Sequence, residues 1–200
     1  MRKQTLNLLL ACTVALAACL LYAHTIHFEF TWDDPMLLRA AGSDTGQWTR
    51  AFSQPVDRLY RPLRSLMFMA ENAAPVQDPA MLFHSINVLL YGAACAAFFA
   101  LCNVLLRNAW WAGGAALLFA AHPAHAEVVS SVGNGRADLL AAIFAFSCLA
   151  LWAGSRRTLP RAAALALFAM ALLSKESTAV LPGVVFVLSF LETQNAKQPA

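Results

Sequence analysis

Apolar runs long enough to cross a lipid bilayer, broken by tight clusters of charge, constrain this chain more than any other feature. Residues 6–23 would cover roughly 27 Å as a helix rising about 1.5 Å per residue, close to the thickness of a hydrocarbon core. Runs at 79–106 and 137–154 are comparable, and shorter ones follow at 109–121, 160–173 and 178–191. With 60% hydrophobic residues, 12% charged residues and a mean hydropathy of +0.58, a soluble domain is excluded. A net charge of +3 spread over scattered basic residues excludes nucleic acid as a partner. The expected fold is all-α: a polytopic transmembrane helix bundle of about six spans, with an exported loop containing short interfacial helices.

The arginines and lysines set the orientation. Arg2 and Lys3 precede the first run, Arg107 follows the second, and Arg156, Arg157 and Arg161 follow the fourth, so the positive-inside rule places these ends in the cytoplasm. A basic start and Leu16-Ala17-Ala18-Cys19 also suit a cleaved lipoprotein leader, but the apolar run continues past Cys19, which favours an uncleaved anchor. The expected organisation is a single membrane domain over 1–200: a first span at 6–23, an exported catalytic loop at 24–79, five further spans within 80–191 and a polar tail at 192–200. The run at 109–121 is only 13 residues long, short of a full crossing. All five cysteines (Cys12, Cys19, Cys95, Cys102, Cys148) lie in apolar runs and read as small hydrophobes, without a disulfide framework.

The exported loop opens on Thr31-Trp32-Asp33-Asp34-Pro35. Asp34 suits a helix N-cap with Pro35 at the first helical position, where the missing amide proton costs nothing. Asp33 has no such structural explanation, and the pair is retained as candidate catalytic carboxylates. Residues 47–54 suit a short helix ended by Pro55. Tyr60-Arg61-Pro62-Leu63 opens a segment through Ala73 with apolar residues on one side and Arg64 and Glu71 on the other, which suits an interfacial helix presenting charge to head groups.

Three polar clusters fall on one side of this topology: Trp32-Asp33-Asp34; His122 to Glu127, followed by Arg136 and Asp138; and Ser174-Lys175-Glu176. Ionisable groups converging at membrane depth define a functional-site hypothesis. Taken singly, Lys175 could pair with Glu176, Arg136 with Asp138, and His122 could cap a helix end before Pro123. Taken jointly, the cations Arg61, Arg136 and Lys175 suit a phosphate at head-group level, and a facing carboxylate can take the proton of a hydroxyl nucleophile. The chemistry so described is transfer of a group from a lipid phosphate to a hydroxyl acceptor.

The order of motifs resembles the membrane region of the transmembrane and tetratricopeptide-repeat O-mannosyltransferases, of the GT-C glycosyltransferase superfamily. Those motifs are Trp32-Asp33-Asp34; Tyr60-Arg61-Pro62-Leu63; Phe83-His84-Ser85-Ile86-Asn87-Val88-Leu89-Leu90; His122-Pro123-x-His125-x-Glu127 with Gly135-Arg136-Ala137-Asp138-Leu139-Leu140; and Ser174-Lys175-Glu176. The resemblance covers about residues 30–182. It implies a polyprenyl-phosphate-linked sugar as donor, with mannose the expected sugar, and a hydroxyl on protein or glycan as acceptor. It further implies Asp33 as catalytic base, basic residues of later loops at the phosphate, and His122, His125, Glu127, Arg136 and Lys175 lining the donor site, with Glu176 beside them. Two departures stand out: Tyr91 where relatives commonly carry His, and Val132-Gly133-Asn134-Gly135-Arg136 in place of the more usual Val-Gly-Arg. GT-C enzymes usually have more spans, so a downstream polypeptide completing the bundle is an expected partner, beside membrane lipid. The active loops are expected on the exported face of a bacterial inner membrane.

No cofactor is demanded; adjacent acids can hold a divalent ion, but no ligand spacing requires one. Two other readings remain. His122-x-x-His125-x-Glu127 would suit zinc in an intramembrane hydrolase, although Pro123 lies between the histidines and the helical i, i+4 pair is missing. A non-catalytic membrane subunit or lipid-binding scaffold, including an inactive gene fragment, is the other.

Overall fold

The computed structural model describes residues 2–31, 34–42, 48–56 and 58–195. Among these the chain is helical, its only extended pairing an isolated bridge between Val56 and Leu59. Ten helices follow in order: α1 (Lys3–Tyr22), α2 (Asp34–Gly42), α3 (Arg50–Ser53), α4 (Pro62–Asn72), α5 (Pro79–Leu106), α6 (Ala109–Ala120), α7 (His125–Ser130), α8 (Gly135–Gly154), α9 (Thr158–Ser174) and α10 (Leu181–Asn195). Short 3-10 turns at Ala23–His27 and Glu176–Val180 extend α1 and precede α10. Lys3–His27, α5 and α8 are long and apolar enough to cross a membrane, and α6, α9 and Glu176–Phe190 are shorter apolar helices. The fold is therefore a helical membrane bundle.

Helix α5 is the axis. Asp78 caps it by accepting from Met81 N at 2.9 Å, Pro79 occupies its first turn, and Arg107 ends it in the left-handed region at φ 54°. It packs against α1, α6 and α8, and α8 against α9. Without a hydrophobic drive between helices in lipid, association rests on close packing, which small residues permit. Ala112, Ala116 and Ala120 form a fully buried stripe on α6 at a spacing of four. At Gly92 a Cβ would stand 2.6 Å from Cys19 Sγ and 3.0 Å from the Ala15 carbonyl oxygen, so only glycine lets α5 meet α1 there. Large apolar side chains (Leu8, Leu16, Leu20, Trp110, Trp111, Phe186) cover the outside, as in a bundle whose solvent is lipid. The five cysteines are free thiols.

The run at 109–121 has a structural answer to its shortness. Helix α6 stops where Tyr91, partway along α5, donates to the Ala120 carbonyl at 2.8 Å. The remaining ascent is made by the turn after Ala121 and by α7, and it ends where Asn87 Nδ2 donates to the carbonyls of Val129 (3.1 Å) and Ser131 (3.0 Å). Irregular backbone at this level is tolerated because protein groups satisfy it.

Candidate functional site

The polar loops meet at one end of the bundle, where α1, α6 and α9 finish and α5 and α8 begin. At the opposite end Gly154 lies beside Val104, so the helices are aligned lengthwise. The organiser of the polar end is α4, which contacts α2, α3, α5, α8 and α9. Its Pro62 start and its extent match the sequence expectation, but its charged side does not face head groups. Arg64 is fully buried and Glu71 is 6% exposed. The reason is a stripe: Arg61, Arg64, Phe68 and Glu71 recur at spacings of three, four and three, which is one helix face, and that face turns into the bundle.

The deepest part of the site is a network around Arg136, which is completely buried in the first turn of α8. Its Nε donates to Asn87 Oδ1 at 2.6 Å, Nη2 donates to the Phe83 carbonyl at 2.9 Å, and Nη1 is ion-paired with Glu71. The guanidinium carbon also lies 5.5 Å from the Phe68 ring centroid and 5.9 Å from that of Phe83. One side chain thereby ties α8 to α5 and α4. Burial pushes the Glu71 carboxyl above its ordinary pKa, against the opposing pull of Arg136. Sequence adjacency suggested Asp138 as Arg136's partner, but residues two apart on a helix do not face one another.

Asp34 forms a second pin. It is the first residue of α2, not the residue before it, and it is fully buried. Its Oδ2 accepts from Thr31 N at 3.2 Å, as the acidic member of a capping box does, while Oδ1 accepts from Gly133 N at 2.6 Å across 99 residues of sequence. Arg64 Nη1 donates to the carbonyl oxygen of the same Gly133 at 3.4 Å. Glycine is required there: a Cβ at 133 would lie 2.7 Å from Leu37 Cδ1 and 3.0 Å from the Asp34 carboxylate. Asp33, with Trp32, lies outside the described residues.

Two further ion pairs stand at the rim. Arg61, at the start of α4, makes a bidentate contact with Glu176: Nε to Oε2 at 3.0 Å and Nη2 to Oε1 at 2.5 Å. Lys175 is paired with Asp138 of α8. Neighbours in sequence, Lys175 and Glu176 thus bind different helices. The fork of Arg61 and the nearby Lys175 hold the Glu176 carboxyl down at a pKa of about 2.

His122, His125 and Glu127 are placed apart from these pairs. His122 Nδ1 accepts from Ala124 N at 3.2 Å, shaping the turn, and Glu127 is exposed. The His125 ring centroid lies 4.4 Å from that of Phe119 and 5.6 Å from that of Tyr91. Among the described residues no three His, Cys, Asp or Glu side chains are grouped to hold a metal ion. Sequence reading did not single out His84, fully buried between the Phe28 and Phe30 rings, or the long-range roles of Arg64, Glu71 and Asn87. The periodic stripe on α4 was the available signal for two of them.

A membrane bundle that gathers acids and bases from four separate helices at one end is the class of protein defined by this geometry. Its homologues are protein O-mannosyl-transferases, matching the family its motifs resemble. It is 31% identical over 136 residues to "Protein O-mannosyl-transferase TMTC2" of Homo sapiens, covering 62% of this chain and 16% of that protein. Against TMTC1 of Mus musculus the figures are 31% over 147 residues, 66% of this chain and 15% of that protein. Against Tmtc2 of Drosophila melanogaster they are 33% over 138 residues, 63% and 15%. The matched region therefore spans about a sixth of the length of these relatives. No family model matches the chain, and no solved structure does.

Proposed function

We propose that this chain carries the reaction end of a GT-C-type glycosyltransferase that moves mannose from a polyprenyl-phosphate donor to a hydroxyl of a protein. The observation that carries the reading is the convergence of Arg61, Lys175 and Glu176 at the rim of a buried polar network, at the end of an apolar bundle. The relatives' printed activity agrees with it.

In this reading Asp33 takes the proton of the acceptor hydroxyl as its oxygen attacks the anomeric carbon. The bond from that carbon to the phosphate oxygen breaks, and polyprenyl phosphate leaves with the electron pair. Phosphate is already a good leaving group, so the protein chiefly positions the reactants and neutralises charge. Of the three cations expected at the phosphate, Arg61 and Lys175 are at the rim and meet it. Arg136 lies beneath with its donors committed and fixes the floor. Asp34 holds the neighbouring backbone in place through Thr31 and Gly133. His122, His125 and Glu127 form the far wall of the donor and acceptor pocket.

The test is transfer of labelled mannose from a polyprenyl-phosphate donor to a serine- or threonine-bearing acceptor by the chain in lipid vesicles. Labelled acceptor supports the reading; the donor left intact supports the non-catalytic subunit instead. The polar end belongs on the exported face, so reporter fusions after Ala73, Gly135 and Lys175 report export and fusions after Arg107 and Arg157 do not. A cytoplasmic signal at Gly135 contradicts that placement.

A further inference from the structure

The Arg61–Glu176 pair is unequal in a way that the transfer reaction can use. Arg61 is 6% exposed and anchored at the start of α4, whereas Glu176 is 60% exposed at the start of a short 3-10 turn. A planar guanidinium binds a carboxylate and a phosphate with the same two-donor geometry. Glu176 presents both oxygens to that fork, on Nε and Nη2. The adjacent residue, Lys175, is held on α8 by Asp138, so a second cation stands beside the same carboxylate. The arrangement is an anion site whose present occupant is the protein's own, solvent-facing carboxylate.

We infer that Glu176 is a resident counter-anion of the phosphate subsite: the donor phosphate displaces it from Arg61, and it returns to expel the polyprenyl phosphate left after transfer. The inference rests on the donor reading above and adds to it a step of entry and release. Its physical basis is competition. While Glu176 occupies the fork, only the fraction of molecules with Glu176 displaced is competent to bind phosphate, and apparent affinity falls by that fraction. Lowered well below the ordinary carboxylate range, Glu176 remains charged throughout the physiological range and competes at full strength. The leaving phosphate monoester carries more charge than the donor diester. A fork without a competitor would therefore retain product, and the returning carboxylate prevents this.

The experiment titrates the full chain, in nanodiscs of neutral phospholipid, with a short-chain polyprenyl monophosphate. Glu176→Gln keeps the side chain's size and removes its charge; it is expected to tighten binding by about tenfold, as for a competitor occupying the site nine-tenths of the time. Arg61→Gln in the same background is expected to abolish that gain. A merely structural Glu176 would give weaker or unchanged binding in Glu176→Gln, which overturns the inference and leaves the transferase reading standing. Folded wild type and Glu176→Gln that both fail to bind polyprenyl phosphate would overturn the donor reading and this inference together.

Discussion

The Arg136–Glu71 pair and the Arg61–Glu176 pair use the same chemistry at different depths, and depth divides their work. Arg136 is completely buried, and its donors reach a carboxylate, a side-chain amide and a backbone carbonyl on two other helices. Removing either charge would leave the other stranded in an apolar interior. Arg61 is itself only 6% exposed, but it faces a carboxylate that is 60% exposed, so water or another anion can take the place of Glu176 from the open side. The first pair fixes the floor of the site; the second can exchange its anion.

The largest expected effect comes from breaking the floor. Glu71→Ala leaves Arg136 buried without its counter-charge and should cost about 3–5 kcal/mol in unfolding free energy, measured by denaturation in detergent. A loss no larger than that of a rim variant would erase the distinction between the pairs. Asp34→Ala should come next, at about 1–3 kcal/mol, because the buried Gly133 N–H loses its acceptor. The rim variant Lys175→Gln should cost less than about 1 kcal/mol of stability while reducing sugar transfer.

The smallest effect is with pH. Glu176's folded pKa is lowered to about 2, so its contribution to stability is present above the unfolded value and is lost as pH falls toward 2. Unfolding measured against pH should show Glu176→Gln removing that loss on acidification. An unchanged pH profile in Glu176→Gln would mean that the rim pair contributes nothing to the fold.

Much of the fold was legible because each boundary has a local cause. Pro62 and Pro79 open helices, Arg107 closes one, and apolar runs of sufficient length can satisfy their backbone in lipid only as helices. The convergence of polar clusters at one end was legible from the alternation of spans. Pairing was not. Arg136 found Glu71, 65 residues away, because the face of α4 that carries Glu71 is the face that packs inward. Lys175 and Glu176 separated because consecutive residues point to different neighbours at the end of α9. Nor did the length of 109–121 reveal that α6 would stop at the level of Tyr91 and leave the rest of the climb to α7.

The proposed division of labour between two adjacent acids is the central claim: in the transferase reading Asp33 takes the proton, while Asp34 holds backbone through Thr31 and Gly133. Mannose transfer from a polyprenyl-phosphate donor by Asp33→Asn, normalised to folded protein, tests it most directly. The account predicts a fall of about 100-fold or more, the usual worth of a positioned base, with the unfolding midpoint unchanged. Transfer by Asp33→Asn at the wild-type rate would contradict it.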